Sequence, residues 1–420
     1  MRSAPVSIDP AERTQPDSVG RRNLLRLLFD TLVTMDDSGR AQPALALSWE
    51  SYSGGQRWQF WLRRDVQFDD GTQLAATTVA ASLRVAHPDW NISGSNDSVV
   101  IELSGADPSL VFKLALPANA IARRATDKVT GTGPFRVSIW QPGKRLVVVA
   151  NEEYWGGRPY LDAIEIDLGK TSRDQMVALE LGKADVTEVP AEQARRIQAE
   201  GRRVSISAPV ELVALVFTRE AQSAEEAALR EAVSLSVDRA AVRSVLLQGE
   251  GELAGGLLPN WMTGYEFLFP DEANIQKARQ KRSEARQAPS WTLGYDASDP
   301  LDRLIAERVA LNARDAGIVL QLTSTGSPDV RLLRVPLASI SPGVALVNLA
   351  TTFGLQLPRA FPDSTESLFQ YESSLLQTRR IIPLLHLPVN YGLSPSAKSW
   401  SLRRDGGWEV RDIWMGAGKP

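Results

Sequence analysis

The sequence of 420 residues contains no cysteine. Disulfide frameworks, thiolate metal sites and cysteine nucleophiles are thereby excluded. Histidine is scarce: there are two, His87 and His386, far apart in the chain. A structural zinc site is not expected from so few ligands, and a serine triad could use only one of them as its base. No run of about 18 apolar residues occurs, so no segment reads as a membrane-spanning helix. The opening Met1-Arg2-Ser3-Ala4-Pro5 lacks the apolar stretch of a signal peptide. Either the protein works in the cytoplasm or an export signal has been removed. The missing cysteine leans toward an oxidising compartment, where an unpaired thiol is a liability. A basic surplus is missing as well: Lys+Arg 47 against Asp+Glu 50 gives a net charge of -3. Nothing is left over to offset phosphates, so nucleic acid is not expected as a partner. Neither a glycine-rich phosphate loop nor a dinucleotide-binding fingerprint is found. Gly131-Thr132-Gly133 runs into a strand, the wrong context for a nucleotide.

What is present is a globular mixture, 43% hydrophobic and 23% charged, long enough for two or three domains. Val6 to Asp9 reads as a short strand ended by Pro10. Leu24, Leu25, Leu27, Leu28 and Leu32 form an apolar helix face. Trp58, Phe60 and Leu62 alternate with Gln59, Trp61 and Arg63, a period-2 strand. It leads into Phe68-Asp69-Asp70-Gly71-Thr72 and a helix from Ala75 to Leu83. Strands follow over 99–103, 135–139, 146–150 and 164–168. A helix over 171–181 is capped by Thr171. Another strand over 185–189 precedes a helix to Glu200. Leu212 to Phe217 is continuously apolar, as in a strand buried on both faces. Beyond it, a helix over 224–248, strands over 291–295 and 318–322 and a helix over 301–316 give an α/β rhythm. Residues 381–389 are extended again.

Candidate chemistry is thin. His386 lies in an apolar strand and reads as a packed histidine, and His87 reads as a surface residue. Asp69-Asp70 is best explained by capping the following helix. Eleven tryptophans are many, and a few could line a cleft with rigid aromatic faces. Trp261 and Tyr265 are singled out for that role. No catalytic group, cofactor or metal is expected.

Several segments, in order, resemble the oligopeptide/dipeptide/nickel class of extracellular solute-binding proteins (family 5) that serve ABC importers. Ser7-Ile8-Asp9-Pro10 resembles the family's opening strand. Leu28-Phe29-Asp30-Thr31-Leu32-Val33, then Pro43-Ala44-Leu45-Ala46 and Trp49, resemble its next stretch. Trp58 to Arg64, running to Phe68-Asp69-Asp70-Gly71-Thr72, is similar to its most characteristic run. Gly131-Thr132-Gly133-Pro134-Phe135, Asn151-Glu152-Glu153-Tyr154-Trp155, Leu181 to Val186 and Leu229 to Arg239 follow in the expected order. The resemblance covers most of residues 6–265 and, more weakly, 291–322 and 381–414.

The resemblance implies an α/β fold of the two-lobe periplasmic-binding-protein type (class II, cluster C) with an extra subdomain on the first lobe. Lobe 1 would be residues 1–218 plus 385–420, with 49–129 as the attached subdomain, and lobe 2 would be 219–384. Chain crossings near Phe217-Thr218 and Leu385-His386 would form the hinge. Such a monomer captures a peptide or small polar solute in its cleft and passes it to membrane permease subunits outside the cytoplasm. A cytoplasmic ligand-sensing domain of a regulator, reusing the same fold, is the alternative.

The sequence departs from the family where the ligand would sit. Aligned on Asp329 and Pro342, the aspartate that pairs with a peptide's amino terminus in the family is replaced by Ala338. Glu211 is a possible substitute anchor, or else a strand-edge carboxylate in water. Arg334 could meet a ligand carboxylate or stand exposed. Gln15 and Asp17 lie in the loop that approaches the ligand backbone in the family. The second lobe is shortened between Leu349 and Ile381.

Overall fold

The computed structural model describes residues 1–126, 128–265, 269–287 and 290–416. Residues 1–5 are extended and bond through their carbonyls to Lys170, Gly169 and Gly143. The strand expected over 6–9 does not form: the chain bends at Val6, whose N–H is drawn to Gln15 Oε1 at 2.7 Å instead of a neighbouring strand. Helix α1 (Val19–Leu28) begins at Ser18, whose side chain accepts from the Arg21 backbone N–H. Its leucines are buried as expected.

Strands β1 (Ala46–Tyr52), β2 (Arg57–Leu62), β3 (Asn91–Ser95) and β4 (Ser98–Glu102) form a four-stranded antiparallel sheet in the order β1-β2-β4-β3. Trp58, Phe60 and Leu62 point inward against α2 (Ala76–Ala86), and this core reaches from Leu32 to Ile121. Asp69 and Asp70 do not cap α2: its N-cap, Ala75, makes no side-chain bond. Asp70 instead closes the turn, accepting from the Thr72 N–H at 2.9 Å. His87 is half-buried rather than on the surface, stacked on Trp90 with ring centroids 3.6 Å apart.

A three-stranded sheet, β5 (Phe135–Gln141), β6 (Arg145–Ala150) and β7 (Ala163–Asp167), has β6 in the middle. It shares a core with α1 and with Val410 and Ile413 near the C-terminus. Helix α3 (Ser172–Glu180) is capped by Thr171 as expected. Strand β8 (Val186–Val189) and helix α4 (Ala191–Ala199) follow.

Strand β9 (Arg203–Phe217) is far longer than its apolar run. After it come α5 (Ala224–Ser236), β10 (Ser290–Gly294), α6 (Pro300–Asp315), β11 (Val319–Thr323), β12 (Val330–Pro336), α7 (Pro342–Thr352), α8 (Thr365–Gln377) and β13 (Ile381–Leu393). The helix expected to run to Gln248 stops at Ser236, where Val237 turns extended and Asp238 caps a new turn. Helix α8 fills the span between Leu349 and Ile381.

These strands build one seven-stranded sheet in the order β8-β13-β9-β12-β10-β11, with a short strand, Glu252–Leu253, paired to β13. Helices cover both faces of its second half. Val213, Leu215 and Phe217 pack against α5, α6 and Trp291. Leu212, Ala214 and Val216 pack against α7 and α8. Each of the valine, leucine and phenylalanine side chains removed from water contributes about 1.5–3 kcal/mol, so this part of β9 is firmly fixed.

Phe217 and Leu385, beside the expected crossings, lie inside that packed core. The ladder between β9 and β13 shifts register between Ile206 and Pro209, between Pro209 and Glu211, and once more between Val213 and Ala214. Between the first two shifts Pro209 stands opposite Pro388. Neither proline has an N–H to donate.

Candidate functional site

Two cavities open where the N-terminal part of the chain faces the helix-covered half of the large sheet. The first has a volume of about 1080 Å³. Residues 2–6, 14–16 and 18–21 form one wall, with Pro16 and Val19 among them, and Tyr295, Asp299, Asp302 and Arg334 belong to the other. Glu211 and residues 387–391 form its floor. The second, of about 400 Å³, lies between α1 and residues 338–340.

The floor of the first cavity is ionic. β9 and β12 run antiparallel with Glu211 opposite Pro336 and Val213 opposite Arg334. Glu211 and Arg334 are therefore diagonal neighbours. Glu211 is in a central strand, paired on both sides, not at a sheet edge in water. Burial pushes its carboxyl pKa up, and Arg334 offsets this only in part. Among the described residues its carboxylate has no hydrogen-bond partner. Arg334 reaches Asp299 at 3.4 Å and Asp302 at 3.5 Å. Burial opposes its charge, but Glu211, Asp299 and Asp302 outweigh burial and hold its pKa above the ordinary value. Its Nε is buried with no partner among the described residues. Burial pushes Asp302 up to about 6 despite Arg334. Arg2 spans the cavity: its backbone N–H donates to Glu188 at 2.6 Å, and its Nη1 donates to Asp299 at 3.1 Å.

The structure brings three of the expected residues to this cavity: Gln15, Glu211 and Arg334. Gln15 is already spent, since its Oε1 accepts from Val6 N at 2.7 Å and its Nε2 donates to the Ser7 carbonyl at 3.2 Å. Arg334 is committed to carboxylates and is not a free cation. Asp17 lines neither cavity; it holds Arg22, whose Nε donates to it at 2.9 Å. Ala338 lines the second cavity. Trp261 and Tyr265 line neither, because both pack against the core under α8. Trp261 Nε1 donates to the Pro209 carbonyl at 2.9 Å, and Arg404 lies over its ring. Tyr265 Oη donates to Glu372 at 2.7 Å. Burial pushes Glu372 up to about 7, against the pull of that bond. His386 is buried in the sheet, with Nε2 3.1 Å from the Leu257 carbonyl.

Sequence reasoning missed Arg2, Glu188, Asp299 and Asp302. Asp299-Pro300 carries a helix-start signal, and Asp299 does cap α6. Its second role, as a partner of Arg2 and Arg334, depends on tertiary contacts with no local pattern.

Among the described residues no helix is long and apolar enough to cross a membrane. Comparison with known proteins places the chain in a family. Residues 40–339 match the family described as bacterial extracellular solute-binding proteins, family 5 middle, and the chain belongs to that family. It is similar to the probable D,D-dipeptide-binding periplasmic protein DdpA of Escherichia coli (strain K12), 25% identical over 317 residues, covering 68% of this chain and 61% of that protein. It is also similar to the nickel-binding periplasmic protein of the same organism, 26% identical over 346 residues, covering 70% and 65%. The match thus spans less than two thirds of these relatives' length. Among solved structures, NikA from Staphylococcus aureus in complex with Ni(L-His)2 superimposes with a TM-score of 0.83 at 17% identity, covering 99% of both chains. The oligopeptide-binding protein AppA from Bacillus subtilis with a nonapeptide gives 0.80 at 16% identity, covering 99% and 98%. The fold is the two-lobe α/β fold of these proteins.

Proposed function

We propose that this chain is the receptor of an ABC importer, working outside the cytoplasm. It captures a peptide or similar small polar solute in the first cavity and delivers it to a membrane permease. The observation that carries the reading is Glu211, a carboxylate without a hydrogen-bond partner among the described residues, on the floor of an interlobe cavity of about 1080 Å³. A half-buried carboxylate facing the cavity forms a strong charge-assisted bond to a cationic donor, so the ligand presents an amine to Glu211. Relatives named for dipeptides and oligopeptides support a peptide, and the periplasmic naming of DdpA and SapA favours the importer over the regulator. Glu211 takes over the role that Ala338 has lost.

On this proposal the halves turn about Pro209 and Pro388, with residues 210–217 moving as part of the second lobe. Closure then presents a composite surface to the permease. Native mass spectrometry of the purified chain is expected to show a co-purified amine-bearing small molecule. A thermal-shift screen of di- to pentapeptides, sugars and nickel is expected to raise the melting point with peptides, by mass action. A response to sugars or nickel alone, with none to peptides, would overturn the reading.

A further inference from the structure

The two cavities come close to each other on either side of Arg22. Residues 19–21 of α1 line the first, and Asn23, Leu25 and Arg26 line the second. Across the cleft, residues 331–334 line the first and 338–340 the second. Both walls skip the residues in between, and those residues touch. Arg22 Nη1 donates to the Leu337 carbonyl, and Nη2 lies 3.5 Å from the Pro336 carbonyl. On its other edge the guanidinium is held by Asp17, with Nε 2.9 Å from Oδ1. Arg22 is 6% exposed.

We infer that Arg22 is a specificity-determining partition that ends the ligand cavity and limits the length of peptide it accepts. The inference rests on the peptide reading given above. A planar guanidinium fixed on both edges is a stiff barrier, unlike a flexible ammonium. An extended peptide advances about 3.3 Å per residue, so a chain growing along the cleft soon reaches it. To pass, the ligand must displace Arg22 and strip its buried carbonyl contacts, which are costly to leave unmade. With Arg22 cut back, the cavities of about 1080 Å³ and about 400 Å³ join, and the space grows by more than a third. The freed Leu337 and Pro336 carbonyls then accept from the N–H groups of a longer peptide.

The test uses the full chain as wild type, Arg22→Ala and Arg22→Met, each checked for folding by thermal melting. Isothermal titration with alanine oligomers, from dialanine to hexaalanine, reads the length profile. Wild-type affinity is expected to fall about tenfold beyond a short optimum. The optimum is expected to move to a longer oligomer in the variants. An unchanged length profile in a folded variant overturns the partition. Crystal structures of the variants supply the second readout. Joined cavities support the proposal, and cavities still divided overturn it, whether or not any oligomer binds. A wild type that binds no oligomer counts against the peptide reading alone, and the crystal structures then decide the partition.

Discussion

Glu211 and Arg334 sit one diagonal step apart on antiparallel strands, both lining the first cavity, yet Arg334 makes its ion pairs with Asp299 and Asp302. The cavity thus sets two cations, Arg334 and Arg2, against Glu211, Asp299 and Asp302, with Asp299 taking a bond from each cation. Glu211 is the acid left without a hydrogen-bond partner among the described residues.

Replacing Glu211 by Gln is expected to weaken an amine-bearing peptide by about 1.5–3 kcal/mol, the range for a hydrogen bond to a charged group. The carboxylate must be ionised to attract the amine, and burial raises its pKa. Affinity should therefore fall as pH is lowered, beginning above the range of an ordinary glutamate. Calorimetric titration across a pH series checks both points. An unchanged dissociation constant in the variant would dispose of the anchor.

Arg334→Met should destabilise the fold. Asp302 would lose its cation and Asp299 would keep only Arg2, in a partly dry site. Removing one member of a buried ion pair costs about 3–5 kcal/mol. Urea unfolding measures the loss, and Asp302→Asn in the same background should recover part of it. A loss no larger than that of a surface substitution would refute this account.

Acid should loosen the packing of α1 against the C-terminal segment. Burial alone would raise Asp405, but Arg26 and Arg403 outweigh it and hold its pKa down to about 2. A carboxylate depressed in the folded state contributes stability above its unfolded value. That contribution, about 2 kcal/mol, is lost between about pH 4 and about pH 2. Asp405→Asn should be less stable at neutral pH and show a flatter acid limb by circular dichroism. Parallel acid limbs would count against the pairing.

Gly131→Ala should fail by steric conflict. A Cβ there would lie 1.9 Å from the Leu28 carbonyl oxygen. The backbone of α1 is held at this point by the Gly133 N–H, 3.0 Å from the same oxygen. Forcing the two apart costs about 3 kcal/mol, visible as a lower melting temperature. A variant as stable as wild type would show that α1 can shift away.

Much of the fold was legible because its signals are local. The alternation around Trp58, the Thr171 cap and the apolar run 212–217 all form as their spacing dictates. The ordered family segments then fixed the architecture. The site was harder to read. Glu211, Arg334 and Gln15 reach the cavity, but whether a side chain is free there depends on partners distant in sequence. Gln15 is consumed by Val6 and Ser7, and Asp17 by Arg22. Trp261 and Tyr265 looked like cleft aromatics because a loop of glycine, proline and aromatic residues carries no periodicity. Only the packing of α8 reveals that they are covered.

The facing prolines, Pro209 and Pro388, bear on how the molecule moves. A continuous sheet resists bending because flexure stretches its rungs. Where both chains lack an amide hydrogen, there is little to stretch. On the closure proposed above, the two long strands would be a pair of straps creased at the same point, and opening the mouth of the protein would not need to unzip either half.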